Sequence, residues 1–200
     1  MSDLNTNIRR PDWLKIKLDT SEAFQATKEI INSKMLNTVC VEARCPNIYE
    51  CWNRKTATIM ILGDVCTRAC GFCSVKTGKP PAYDTMEPIR VSQAIKKMDL
   101  NHVVVTSVDR DDLRGDYGAS IWADTINQIH LSVPGCSVEV LTPDFLRKGD
   151  AYKKLLEADL DVFNHNMETV ESLYRNVRPG ANYKHSLKLL KYLDLSYDIL

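Results

Sequence analysis

The chain has 200 residues, of which 26 are basic and 26 acidic, so its formal net charge is zero, and 44% of it is hydrophobic. That balance excludes a general attraction to nucleic acid or to an anionic membrane, and no apolar run approaches the roughly 18–20 residues of a membrane span. The length suffices for one sizeable core with a small appended unit.

Met1 to Arg10 holds no apolar signal stretch, and neither low-complexity tracts nor internal repeats follow. Reduced thiols and the missing leader point to the cytoplasm. Residues 21–36 have the pattern of an amphipathic helix, with Ser21 as N-cap and Phe24, Ile31 and Met35 on one side. Next come Cys40, Cys45 and Cys51, spaced C-x4-C-x5-C, in a stretch containing Pro46 and Asn47 that reads as irregular.

From about residue 57 short apolar runs alternate with helical ones. Strands are expected at 58–62, 102–107, 137–142 and 162–164, with a fifth beginning at 195. Helices are expected at 91–98 (Ala94, Ile95, Met98), 119–131 (Trp122, Ile126, Ile129), 152–158, 168–177 (Leu173, Val177) and 184–193 (Leu187, Leu190, Leu193). Strand then helix, repeated, predicts parallel βα units. The polar motifs follow strand ends: a cysteine loop after the first, Ser107 to Asp112 after the second, Pro143-Asp144 after the third, Asn164 and Asn166 at the fourth. Parallel α/β folds collect their chemistry at that edge, so one shared pocket is expected.

The loop after the first strand is Cys66-Thr67-Arg68-Ala69-Cys70-Gly71-Phe72-Cys73, spaced C-x3-C-x2-C. Soft thiolates select iron–sulfur or zinc, and three of them can hold three irons of a [4Fe–4S] cube while leaving the fourth iron open. An open iron is what S-adenosylmethionine chelates through its amino and carboxylate groups. Six of the seven cysteines fall between residues 40 and 73. A disulfide framework lacks a secretory context, and a zinc ribbon pooling both triplets lacks the usual knuckle spacing.

The loop, with Phe72 before its last cysteine, resembles the signature of the radical S-adenosylmethionine enzymes. Both triplets in this order resemble the lipoyl synthase family. Further blocks carry that resemblance: Arg10-Pro11-Asp12-Trp13-Leu14-Lys15, the run from Val104 to Leu113, Pro143-Asp144-Phe145, Asn164-His165-Asn166-Met167-Glu168-Thr169, and Val177-Arg178-Pro179-Gly180-Ala181. Tyr49 departs from the pattern, standing where a smaller residue is expected.

The resemblance implies a partial parallel (β/α) barrel at 57–200, truncated after about four βα units, behind a cysteine-rich N-terminal extension at 1–56. It implies two [4Fe–4S] clusters: one on Cys66, Cys70 and Cys73 that binds and cleaves S-adenosylmethionine, and an auxiliary one on Cys40, Cys45 and Cys51. The radical so formed would abstract hydrogens at carbons 6 and 8 of an octanoyl chain on a carrier lysine, and the auxiliary cluster would give up two sulfur atoms. Implied partners are octanoylated lipoyl carrier domains of 2-oxoacid dehydrogenase complexes, the glycine-cleavage H protein, a reduced ferredoxin or flavodoxin, and iron–sulfur carrier proteins.

Cofactor contacts are expected from Phe72, Thr106, Ser107, Asp109, Asn164, Asn166 and Arg178. Plainer readings stand beside them. Asp109 to Asp112 also reads as a solvated turn with a local ion pair, Arg178-Pro179-Gly180 as a helix stop, Glu168 as a first-turn charge and His165 as a structural hydrogen-bonder. Glu139, between Val138 and Val140, is expected on the lumen face. Members of the family continue through further βα units to an Arg-Ser-Ser stretch whose serine ligates the auxiliary cluster, and no such stretch stands here. The competing expectation is therefore a catalytically incompetent iron–sulfur fragment or a lipoyl-domain-binding module.

Overall fold

The computed structural model describes Pro11 and residues 21–196 apart from Met35, Tyr117, Arg147 and Gly149. Most of the block at residues 10–15, Met35 of the first helical stripe and residues 197–200 of the expected fifth strand lie outside the described residues.

Ser21 accepts the Phe24 N–H at 3.3 Å and caps α1 (Glu22–Ser33). Phe24 stacks on Tyr49 with centroids 4.9 Å apart and lies 5.1 Å from Trp52. The segment bearing the first cysteine triplet is irregular at Cys45, Pro46 and Asn47, as expected, but Cys40 and Cys51 stand on short helices. After β1 (Asn37–Thr38), Thr38 accepts the Val41 N–H and starts α2 (Val39–Glu42), and α3 (Ile48–Asn53) follows. Each piece is too short to show a helical period, and only α2 has a side-chain cap to supply what periodicity does not.

The main sheet has the order β1-β2-β5-β6-β7. It comprises β2 (Thr56–Ile61), β5 (His102–Ser107), β6 (Ser137–Leu141) and β7 (Val162–Asn164), all parallel, with β1 antiparallel at one edge. Pairing puts Ile59, Val105, Val140 and Phe163 in one row, and Met60, Thr106, Leu141 and Asn164 in the next. Because side chains alternate across a strand, the two rows face opposite sides. The first row joins a core with Val91, Ala94, Ile95, Ile126 and Ile129 from α4 (Glu87–Met98) and α5 (Ala119–Ser132). Met60, Thr106 and Leu141 of the second row line a cavity. No closed barrel forms among the described residues. A separate parallel pair, β3 (Val65–Cys66) and β4 (Lys76–Thr77), brackets the second cysteine loop.

Four helices agree with the sequence period to within a few residues: α4, α5, α6 (Ala151–Leu156) and α8 (Tyr183–Ser196). The expected helix at 168–177 is shorter, a 3-10 turn at Glu171–Leu173 leading into α7 (Tyr174–Val177), with Leu173 exposed. The buried stripe of α8 is Ser186, Leu189 and Leu193, while Leu187 is exposed. A serine inside the stripe disguises the period, and its hydroxyl has a partner in the core. Residues 195 and 196 continue α8 instead of opening a strand. Among the described residues no helix is long and apolar enough to cross a membrane.

Candidate radical-chemistry site

The chain leaves β2 through Leu62 and Gly63, both at positive φ (67° and 96°). Two buried charged side chains hold this turn. Glu87 accepts the Leu62 N–H at 2.7 Å, and Arg110 donates to the Leu62 carbonyl at 2.9 Å while gripping Asp112 with Nε and Nη2. The loop that follows is closed by backbone bonds from Gly78 to Cys66, Cys73 to Cys70 and Gly71 to Val177.

Arg68 ties that loop to two strand ends, with only 3% of its side chain exposed. Nε and Nη2 form a bidentate pair with Asp111 at 2.7 and 2.8 Å, and Nη1 reaches Asp144 at 2.8 Å and Asp109 at 3.3 Å. Thr67 adds a bond to the Asp109 carbonyl at 2.9 Å. The run 109–112 is therefore a solvated turn only at Asp111 and Asp112: Asp109 and Asp111 face Arg68, and the Arg110–Asp112 pair is the expected local one. Burial pushes the Asp109 carboxyl above the ordinary range against the pull of Arg68, whereas the Arg68 guanidinium holds Asp111 below it despite partial burial. Lys148, also buried, adds positive charge near all three acids, and its own desolvation lowers its pKa.

Gly180 lies against the stem of Arg68. A Cβ there would stand 2.8 Å from Cδ and 3.0 Å from Cγ. A free arginine would swing aside, but this one is fixed by three carboxylates. Gly180→Ala is accordingly expected to cost about 1–3 kcal/mol, as overpacking does. Urea denaturation would measure the loss. A change within about 0.5 kcal/mol would show that the loop yields.

A cavity of ≈ 220 Å³ opens over the strand ends. Cys66, Cys70 and Cys73 all line it, with Phe72, Thr106, Ser107, Asp109, Asn166 and Arg178. Asn164 does not; its amide donates to Glu139 at 3.2 Å. Glu139 belongs to the cavity-side face of the sheet, as its alternation predicts, and lies 3.4 Å from His102. Thr106 spends its hydroxyl on the Leu141 carbonyl at 2.8 Å. Glu168 lines the cavity from a loop residue at φ 65° rather than from a helix turn. Arg178, at 7% exposure, is no simple helix stop: Nη1 donates to the Asn166 carbonyl at 2.7 Å, and Nε is buried without a partner.

All seven cysteines are free. Burial raises the Cys66 and Cys70 thiols, opposed by the Arg68 N–H to Cys66 (3.4 Å) and by Arg178 near Cys70. In the first triplet, burial and then the nearby Cys40 and Cys45 raise Cys51. Val39 and Ala43, flanking Cys40 on α2 and just beyond it, line the same cavity. Among the described residues no three Cys, His, Asp or Glu converge on a single ion. A cube places each thiolate on a different iron and needs no such convergence.

The residues present fit such a cube with a zwitterionic ligand on it. Three free thiols share one cavity, and two unpartnered buried polar atoms stand at its wall, Thr142 Oγ1 as acceptor and Arg178 Nε as donor, beside the buried Asp109 carboxylate that Arg68 reaches at 3.3 Å. Sequence reasoning missed Arg68, Glu87 and Arg110. No spacing marks their contacts to Leu62 and to the Arg68 acids, which are 25 to 76 residues away; only the Arg110–Asp112 pair is local.

A family model described as Radical SAM superfamily matches residues 60–194. That stretch starts inside β2, takes in the thiol loop and the C-terminal ends of β5, β6 and β7, and stops within α8, so it spans the cavity built above. By this match over well more than half of its length, the chain belongs to the radical SAM superfamily.

Proposed function

We propose that the chain is a lipoyl synthase, inserting two sulfur atoms into a protein-bound octanoyl chain. One observation carries the reading: Val39 of α2, the helix that bears Cys40 of the first triplet, and Ala43 at its C-cap line the same cavity as Cys66, Cys70 and Cys73. A sulfur donor has to stand within reach of the carbon activated by the other cluster, and a shared wall provides that. The apolar residues of the cavity, Met60, Val75, Val108 and Leu141, suit an alkyl chain.

When bound, the cluster and S-adenosylmethionine supply a hydrogen-abstracting radical. The protein residues do the rest. Cys66, Cys70 and Cys73 hold the first cluster and Cys40, Cys45 and Cys51 the auxiliary one. Arg178 pairs with the cofactor carboxylate, and Asp109 and Thr142 accept from its donors. Arg68 keeps the cysteine loop against the ends of β5 and β6. Phe72, at 53% exposure on the rim, covers the cofactor. The partners of this reading are octanoylated carrier domains, a low-potential electron donor and iron–sulfur carriers.

The test is a single turnover of anaerobically reconstituted protein with dithionite, S-adenosylmethionine and an octanoyl-lysyl peptide, followed by mass. A peptide gaining two sulfurs is the expected product. Cofactor cleavage with an unchanged peptide would overturn sulfur insertion while leaving the superfamily chemistry intact.

A further inference from the structure

Behind the cavity wall runs a chain of buried polar side chains. The Thr142 carbonyl is 2.9 Å from His165 Nδ1, and His165 Nε2 is 2.9 Å from Ser186 Oγ. Ser186 Oγ lies 3.4 Å from the Tyr174 hydroxyl, which lies 3.1 Å from Arg178 Nη1. None of Thr142, His165, Tyr174, Arg178 and Ser186 is more than 7% exposed, so bulk water does not substitute for a missing link.

The two ends fix the direction of every bond. A carbonyl only accepts and a guanidinium only donates. His165 therefore carries its proton on Nδ1, and its bare Nε2 accepts from Ser186. Ser186 in turn accepts from Tyr174, and Tyr174 accepts from Arg178. A second proton on His165 would turn Nε2 into a donor to Ser186, leaving the Ser186 hydroxyl proton without its acceptor and the chain without its fixed order. The chain joins four elements: the β6 and β7 ends, α7 and α8. It terminates on a guanidinium whose long side chain has much rotamer freedom to lose.

We propose that His165 is a positioning residue for Arg178: its neutral form orders the Ser186–Tyr174 chain that holds the guanidinium at the cavity wall, presenting Nε to a carboxylate bound there. This rests on the reading of Arg178 as the partner of the cofactor carboxylate. Burial, first of all, keeps His165 below the ordinary histidine pKa. The charged groups acting on it are Arg178, which lowers it further, and Asp144 and Glu168, which oppose. The neutral form is thus the resident one at neutral pH, as the bond directions require.

The experiment is calorimetric titration of S-adenosylmethionine into anaerobically reconstituted protein, with iron counted for each variant. Arg178→Met is expected to weaken binding about tenfold or more, the worth of a charge-assisted bond. Tyr174→Phe and His165→Asn should each weaken it about three- to tenfold, and the double variant no more than the worse single, since both cut one chain. Wild-type affinity should fall as the pH drops through the depressed pKa of His165, and that of His165→Asn should not.

If Arg178→Met weakens binding while both other variants stay within twofold, positioning is overturned and the role of Arg178 survives. Unchanged binding in Arg178→Met overturns both. Losses that multiply in the double variant overturn the single chain. Should His165→Asn lose its iron, Tyr174→Phe decides, because it removes one hydroxyl and no volume.

Discussion

Replacing Arg68 with Met is expected to lower unfolding free energy by about 3–5 kcal/mol, the cost of stranding buried charges, and to leave the cysteine loop unable to retain its cluster. Asp144 suffers most, being fully buried, and Asp111 least, at 39% exposure of its side chain. Lys148 remains nearby but forms no ion pair with them to take over. The sign with pH follows from the acids. Without Arg68 their carboxyls should titrate higher, so the deficit is greatest at neutral pH and shrinks in acid, where protonated carboxyls need no counterion. Urea denaturation of the metal-free chain at pH 7.5 and 5.0, with iron retention on gel filtration, would measure both effects. A loss under about 1 kcal/mol at pH 7.5 would mean that the acids reach water once released. Arg68→Lys should recover little, because a point charge cannot reproduce the bidentate fork on Asp111.

Two cysteine replacements separate the two triplets. Cys66, Cys70 and Cys73 to Ala together should abolish reductive cleavage of S-adenosylmethionine and reduce iron from about eight to about four per chain, one cube of two. Cys40, Cys45 and Cys51 to Ala should also halve the iron, yet keep cofactor cleavage and lose only sulfur insertion. Acid-labile sulfide, iron and 5′-deoxyadenosine, measured on both variants, would score them. Loss of cleavage in the second variant would mean that the α2 wall supports the first site, rather than merely facing it.

A third expectation concerns stability in mild acid. His165 stays neutral when folded while the unfolded chain takes a proton near 6.5. Its folded pKa is depressed, so stability is lost as pH falls from about 6.5 through that lower value, by at most about 1.4 kcal/mol per unit. The difference between wild type and His165→Asn in urea midpoints at pH 7.0 and 5.5 would show it. Equal changes in both would assign the acid sensitivity to carboxylates instead.

The spacing of the cysteines carried the chemistry because their ligand set is local: three thiolates within eight residues need no fold to be recognised. Strands β5, β6 and β7 were legible for a related reason. A parallel strand covered by helices is a short apolar run, and its polar successor marks the site edge. The failures have physical causes too. Residues 39–42 and 48–53 form helices of four and six residues, shorter than any amphipathic period. On α8 the buried serine displaced the reading by one position, from Leu187 to Ser186. Asn164 sits at the strand end as expected, but Glu139, two residues before its register partner Leu141, draws its amide away from the cavity.

Composition and pattern alone were enough for a parallel α/β chain with two thiolate triplets, because hydrophobic alternation and metal-ligand spacing are properties of neighbours. Which acids Arg68 would gather, which wall α2 would share, and how His165 reaches Arg178 through Ser186 and Tyr174 came only with the packed molecule. Those contacts join residues from separate βα units, and their energies depend on burial that no single segment produces.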